Sequence, residues 1–295
     1  MGLRINELIA LADQLARQAP ASVLTISRLD VFVGLQDIVV VFERAGLKLP
    51  VDFVENRAGK RIFLDQILLD LGIKKVDSVD FSNFEGATLT LDLGAPLDPP
   101  MELYDLVYES GTLEHIFNFP VAIRNVMGFC AEGGCVFLNT VCNNFSGHGF
   151  YQFSPELFYS IVRCSAGYVM QDVHAYEDFD HSRRYSVENP QVIGKRVEIR
   201  SFLPVNMAIR MVRQRVVVGG AAVEPVMQSD YMEAWKAGSV YSNSYVGYSL
   251  RGGNSIFRRI VLALGLVAPS LMRFFIAKRR RAMYIGEKRS DLICR

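Results

Sequence analysis

The chain has 295 residues, of which 50% are hydrophobic and 21% charged. That length and apolar content allow a sizeable core and exclude disorder of the whole chain. The net charge of +1 hides an asymmetry: Arg251 to Arg295 carries 11 Lys/Arg against 2 Asp/Glu, and the remainder 21 against 29, so a mildly acidic body ends in a basic tail.

In chain order, apolar residues recur at helical spacing from Ile5 to Gln18 and Pro20 ends the run, which predicts an amphipathic N-terminal helix. Ser22 to Ile26 is a short β-branched, apolar run and reads as a buried strand. Leu35 to Ala45 and Ile62 to Leu71 read as helices, with Gly46 and Gly72 at the C-terminal cap positions. Strands follow at Val76 to Phe81, Ala87 to Leu91 and Tyr104 to Tyr108. Pro120 to Cys130 reads as a helix with proline in its first turn, Glu132-Gly133-Gly134 as a turn, and Cys135 to Val141 as a strand. Ser154-Pro155 opens a further helix with serine as N-cap, and Gly167 to Val173 is another strand. Val197 to Phe202 and Met207 to Arg213 read as a hairpin-like pair closing the sheet. Gln214 to Gly253 has the composition of a linker, and Ile256 to Ala277 is strongly apolar.

Strands alternating with helices through short connections predict a mostly parallel, doubly wound α/β sheet. The expected organisation is an N-terminal helix over 1–21, an α/β domain over 22–215, and a linker with an apolar, basic C-terminal helical extension over 216–295.

One stretch is more specific. Tyr104-Asp105-Leu106-Val107, a few small or polar residues, then Leu113-Glu114-His115-Ile116 resembles the fourth-strand motif of class I S-adenosylmethionine (SAM) methyltransferases. The Glu132-Gly133-Gly134 turn with its strand to Thr140 resembles the family's fifth-strand region. Asn143-Asn144 and Gly147-His148-Gly149-Phe150-Tyr151-Gln152-Phe153-Ser154-Pro155-Glu156-Leu157-Phe158 resemble a subgroup often associated with surface-glycan pathways. The resemblance spans roughly 22–215 and implies a Rossmann-like sheet of the class I methyltransferase type with SAM as cofactor.

In such a sheet ligands lie beyond the carboxyl ends of the strands. On this resemblance Asp80, ending the second strand, accepts the ribose hydroxyls, or else caps its own turn. Asp92 accepts from the adenine amino group while the Leu93 amide addresses a ring nitrogen; Asp-Leu-Gly also reads as a plain turn. Ser110 and Gly111 let the backbone approach the cofactor. The family's glycine-rich first loop is missing: Ser27 stands where the first glycine belongs, followed by Arg28. Arg28 has two readings, a fork for the cofactor's carboxylate or a side chain that fills the pocket. His115 is the candidate catalytic group, facing the methyl acceptor as a general base, against a structural imidazole. Asn144, His148, Tyr151 and Gln152 are the candidate acceptor-binding residues. Glu114 reads as structural. His174 and His181 lie near Asp172, Asp178 and Asp180, but no familiar metal spacing results, so a solvated loop and no metal are expected.

The five cysteines are odd in number and form no Cys-x-x-Cys pair, which argues for buried apolar thiols. The N-terminal segment lacks the apolar core of a secretory signal, so a cytoplasmic location is expected. The tail, with Lys278-Arg279-Arg280-Arg281 after its apolar run, reads either as an interfacial anchor at the inner membrane face or as helices docked on protein. Nucleic acid is not an expected partner. Two functions follow: methyl transfer to a small polar acceptor, such as a glycan or glycan precursor; or a non-catalytic protein of this fold that binds a nucleoside-like ligand or scaffolds a membrane-associated biosynthetic assembly.

Overall fold

The computed structural model describes residues 2–98, 101–165, 167–178, 180, 183–214, 226–236 and 245–249. The elements are β1 (Gly2–Leu3), α1 (Ile5–Gln18), β2 (Ser22–Ile26), β3 (Asp30–Val31), α2 (Leu35–Arg44), α3 (Phe53–Arg57), α4 (Leu64–Asp70), β4 (Lys75–Asp80) and β5 (Leu89–Thr90). There follow β6 (Tyr104–Ser110), a 3-10 turn (Leu113–His115), α5 (Phe119–Gly128), β7 (Cys130–Asn143), α6 (Pro155–Cys164), β8 (Tyr168–Glu177) and β9 (Tyr185–Ser186). The series ends with α7 (Pro190–Ile193), β10 (Arg196–Arg200), β11 (Val205–Arg213), α8 (Ser229–Lys236) and a short strand over Tyr245–Ser249.

The main sheet has eight strands in the order β5-β4-β2-β6-β7-β11-β8-β9. β5, β4, β2, β6 and β7 pair in parallel, and β11 inserts antiparallel between β7 and β8. This is a mixed α/β sheet with a parallel, Rossmann-like centre. Burial without alternation over Gly134 to Val141 of β7 shows that both faces of the centre are covered. The expected hairpin of β10 with β11 does not form: β11 spends its pairing capacity on β7 and β8, and β10 lies outside the main sheet. β1 was not foreseen; it pairs in parallel with β3, and a side chain at Gly2 would come within 2.6 Å of the Asp30 carbonyl.

Polar groups stitch the core. The Asp105 carboxylate accepts the Ala21 and Ser22 amides, both at 2.9 Å, which fixes the start of β2 against β6. Tyr176 donates to Glu7 at 2.8 Å, and Asn139 donates to the Tyr108 hydroxyl at 3.0 Å, tying α1 to the central strands. Arg210 is buried, lies over the Phe137 ring and donates to Asp172 at 2.9 Å. His174, expected in a solvated loop, is instead on β8, 3.3 Å from Asp172; His181 lies outside the described residues. Cys130, Cys135 and Cys164 are buried, and burial pushes the Cys130 thiol up to about 11.

Part of the presumed linker is helix: α8 begins at Ser229, whose amide and hydroxyl both donate to Glu156 of α6. The chain divides into two compact units, Met1–Tyr248 and Ser249–Arg295. The apolar, basic tail expected as a helical extension lies outside the described residues. Among those described, no helix is long and apolar enough to cross a membrane.

Candidate active site

The parallel register brings the ends of β2, β4, β5 and β6 to one edge. Ile26 stands opposite Val79 and Glu109, and Asp80 opposite Thr90. Ser110 stands opposite Asn139 of β7. Ser27, Asp80, Asp92 and Ser110-Gly111, at or just past these positions, therefore lie along the carboxyl-end edge of the sheet.

Ser27 adopts a left-handed backbone, φ 66°, which a glycine takes at no steric cost. The chain turns sharply here without a glycine. It is held by the Ser27 amide donating to the Val79 carbonyl at 2.7 Å and by the contact of its hydroxyl with Thr112 at 3.2 Å. The Thr112 hydroxyl also donates to the Ile26 carbonyl. The loops after β2 and β6 are bound to each other.

Arg28 turns away from that turn. Its Nε donates to Asp65 at 3.1 Å, its Nη1 donates to the Glu85 carbonyl, and its guanidinium lies 4.1 Å from the centre of the Phe63 ring. Arg61 lies against the same ring and binds Asp30 and Glu85. A cofactor carboxylate gripped by the Arg28 fork would have to displace these contacts.

Asp80 is half-buried, and its Oδ1 accepts the Phe81 amide at 2.7 Å. Asp92 is exposed and caps its own turn, Oδ1 accepting the Gly94 amide at 2.8 Å. Leu93 is buried, its carbonyl held by the Asn125 amide group. Ser110 is buried, and Gly111 has φ 77°.

One carboxylate, Glu109, escaped the sequence reading, and a second, Glu114, was expected to be structural. Glu109 is fully buried; its Oε1 accepts the amides of Thr112 and Leu113, building the 3-10 turn, while Oε2 has no hydrogen-bond partner. Glu114 is fully buried with neither oxygen hydrogen-bonded. Burial holds both carboxyls above the ordinary range, and for Glu109 the adjacent Glu114 adds to it. The signal available in the sequence was the pair itself, two glutamates on either side of a short polar turn.

The loop after β7 folds back on this turn. The Glu114 carbonyl accepts the Phe150 amide at 2.8 Å and the Tyr151 amide at 3.3 Å. Gly149 makes the approach possible, since a Cβ there would sit 2.8 Å from the Glu114 carbonyl oxygen. His148 is thereby placed beside His115, ring centroids 5.1 Å apart, with its Nε2 3.7 Å from Glu114 Oε1. Desolvation, then repulsion from His148, lowers the His115 pKa below its ordinary value. That lowering favours the neutral imidazole.

The other acceptor candidates are committed to the loop's own shape. Asn144, at φ 61°, donates to the Ser201 and Leu203 carbonyls. Tyr151 donates to the Phe117 carbonyl at 2.6 Å, and Gln152 Oε1 accepts the Phe145 amide at 2.7 Å. Of the four side chains, that of His148 alone lies with those of His115 and Glu114.

No protein-family model matches the chain, and no curated protein matches it. Among solved structures it is similar to TehB from Haemophilus influenzae, at 11% identity over 70% of this chain and 62% of that one, with a TM-score of 0.37. It is also similar to the N-methyltransferase NodS from Bradyrhizobium japonicum, at 12% identity over 72% and 95% of the two chains, TM-score 0.38. A third is the 1,6-didemethyltoxoflavin-N1-methyltransferase of Burkholderia thailandensis, solved with 1,6-didemethyltoxoflavin and S-adenosylhomocysteine, at 11% identity over 71% and 80%, TM-score 0.38. None of them assigns a role to a residue of this chain.

Proposed function

We propose that the chain is a SAM-dependent methyltransferase acting on a small polar acceptor of the glycan or glycan-precursor class. The observation that carries this is the left-handed Ser27 beside the end of β4, where Asp80 leaves β-structure with a half-buried carboxylate. A tight turn and an acidic group at adjoining strand ends are what a nucleoside with a charged amino-acid arm requires.

When bound, SAM supplies an electrophilic methyl group. The chain's own residues do the rest. Asp80 accepts from ribose hydroxyls, Asp92 and the Leu93 amide address the adenine, and Ser27, Ser110 and Gly111 bring backbone close. His115 takes the acceptor's proton, with His148 next to it; most of the acceleration comes from positioning. The exposed edge-to-face pair Phe117 and Phe150, 5.8 Å between centroids, gives the acceptor side an aromatic face suited to a sugar.

A second reading, a non-catalytic binder of a nucleoside-like ligand, is favoured by one observation: Arg28 already spends its fork on Asp65 and Glu85. Calorimetric titration with S-adenosylhomocysteine tests the first. Micromolar binding by the wild type, weakened at least tenfold in Asp80→Ala, is expected; no binding by a folded wild type overturns it. Binding without methyl transfer to any of a panel of sugars and sugar nucleotides moves the reading to the second.

A further inference from the structure

Glu114, His115 and His148 offer one ligand atom each, all within 4.8 Å of one another. Glu114 comes with an unsolved problem. Its side chain is fully buried and neither oxygen has a hydrogen bond, a state that costs several kcal/mol for an ionised carboxylate unless a counter-charge is supplied. The imidazole nearest to it, His148, sits at 3.7 Å, beyond hydrogen-bond length but at a spacing into which a cation fits.

The donor set has a chemistry. Two imidazoles and one carboxylate, converging from a tight turn and a loop, leave one side open, and such sets take divalent transition ions. All-oxygen sites suit Mg²⁺ and Ca²⁺ instead. We propose that Glu114, His115 and His148 bind a divalent transition-metal ion of the Zn²⁺ or Mn²⁺ kind.

Ligands at about 2.0–2.2 Å from an ion lie at most about 4.4 Å apart, so any separation near the 4.8 Å bound would close slightly on binding. His148 takes up that movement. Its side chain is 48% exposed, and it stands between Gly147, at φ 83°, and Gly149. Its neighbour on the loop, Phe145, packs at a tilt against its ring at 5.5 Å and limits how far it swings. With an ion bound His115 would serve as a ligand and not as the base, and the open coordination positions would receive and polarise an oxygen of the acceptor, a role that rests on the methyltransferase reading; the ion site itself does not.

The sequence expectation of no metal followed from spacing, and spacing was uninformative because Glu114 and His115 are adjacent while His148 is brought in by a distant loop.

The test uses the full chain freed of metal with a chelator. Titration with Co²⁺, followed by its visible absorption, and with Zn²⁺ by calorimetry is expected to show one equivalent bound. His148→Ala and His115→Ala should each weaken binding at least tenfold, with His174→Ala, on β8, unchanged. His148 is on the exposed loop, so its variant decides the matter even if Glu114→Gln fails to fold. Wild type binding no tighter than His148→Ala, or an equal loss in His174→Ala, overturns the proposal. S-adenosylhomocysteine titrated into the same metal-free samples separates the two ideas. Ligand binding kept with metal binding absent sinks the ion site alone. Metal binding kept with ligand binding absent supports the ion site and sinks the methyltransferase reading.

Discussion

The hydroxyls of Ser27 and Thr112 meet at 3.2 Å, across the gap between the loops that follow β2 and β6. Ser27 holds a positive φ to make that contact. A left-handed conformation costs a non-glycine residue about 1–2 kcal/mol, and a buried hydrogen bond returns about 1.

Replacing Ser27 therefore sorts by backbone preference. Ser27→Gly relieves strain and loses the hydroxyl, and should stay within about 1 kcal/mol of the wild type. Ser27→Val adds a β-branched side chain to a left-handed turn and should lose about 2 kcal/mol or more. Urea unfolding midpoints measure both; equal stability of the two variants would refute a strained turn.

Arg28 joins the first loop to α4 and to the β4–β5 loop. Arg28→Ala should lower stability by about 1–2 kcal/mol, through the partly exposed Asp65 pair and the Phe63 stacking. If these contacts are its purpose, affinity for S-adenosylhomocysteine should change less than threefold. A tenfold loss would show instead that the guanidinium leaves Asp65 for the ligand.

Gly149→Ala places a methyl group 2.8 Å from the Glu114 carbonyl oxygen. The loop must move, at about 1–3 kcal/mol. Thermal melting should register the loss, and the imidazole proton resonances of His115 and His148 should shift together. Unchanged His115 resonances would mean that the loop does not hold the pair.

Glu7 is buried, accepts from Tyr176 at 2.8 Å and from the Arg4 amide at 2.9 Å, and its pKa is raised first by desolvation and then by Asp178. The native state keeps a proton that the unfolded chain releases near pH 4.3, so this contribution to stability falls as pH rises through the native value. Glu7→Gln should flatten that fall by up to about 1.4 kcal/mol per pH unit. Glu109 and Glu114 act with the same sign, so the slope is reduced rather than abolished. Melting temperatures from pH 4 to 9 check it; a steeper fall in the variant would reverse the assignment.

Arg210 is 2% exposed on β11 and answers Asp172. Arg210→Met should destabilise by about 3–5 kcal/mol, because the Asp172 carboxylate is left without its buried partner. The double variant Arg210→Met, Asp172→Asn should recover part of that loss in denaturant unfolding.

Local chemistry was legible in the sequence. The helix over Ile5–Gln18 and the strand over Ser22–Ile26 have the boundaries that periodicity and Pro20 dictate, and Gly46 and Gly72 take the positive φ expected of helix caps. These depend on neighbours a few residues away. The insertion of β11 between β7 and β8 depends on which distant edges remain unpaired, and period-two patterning is the same whichever partner a strand chooses. The site divides likewise. The chain by itself put Ser27, Asp80 and Ser110 at strand ends, since strand ends are local. Only the folded chain decided that Arg28 answers Asp65, that Glu114 is buried without a hydrogen bond, and that His148 lies beside His115, because burial and charge pairing are set by segments that meet only once the sheet is assembled.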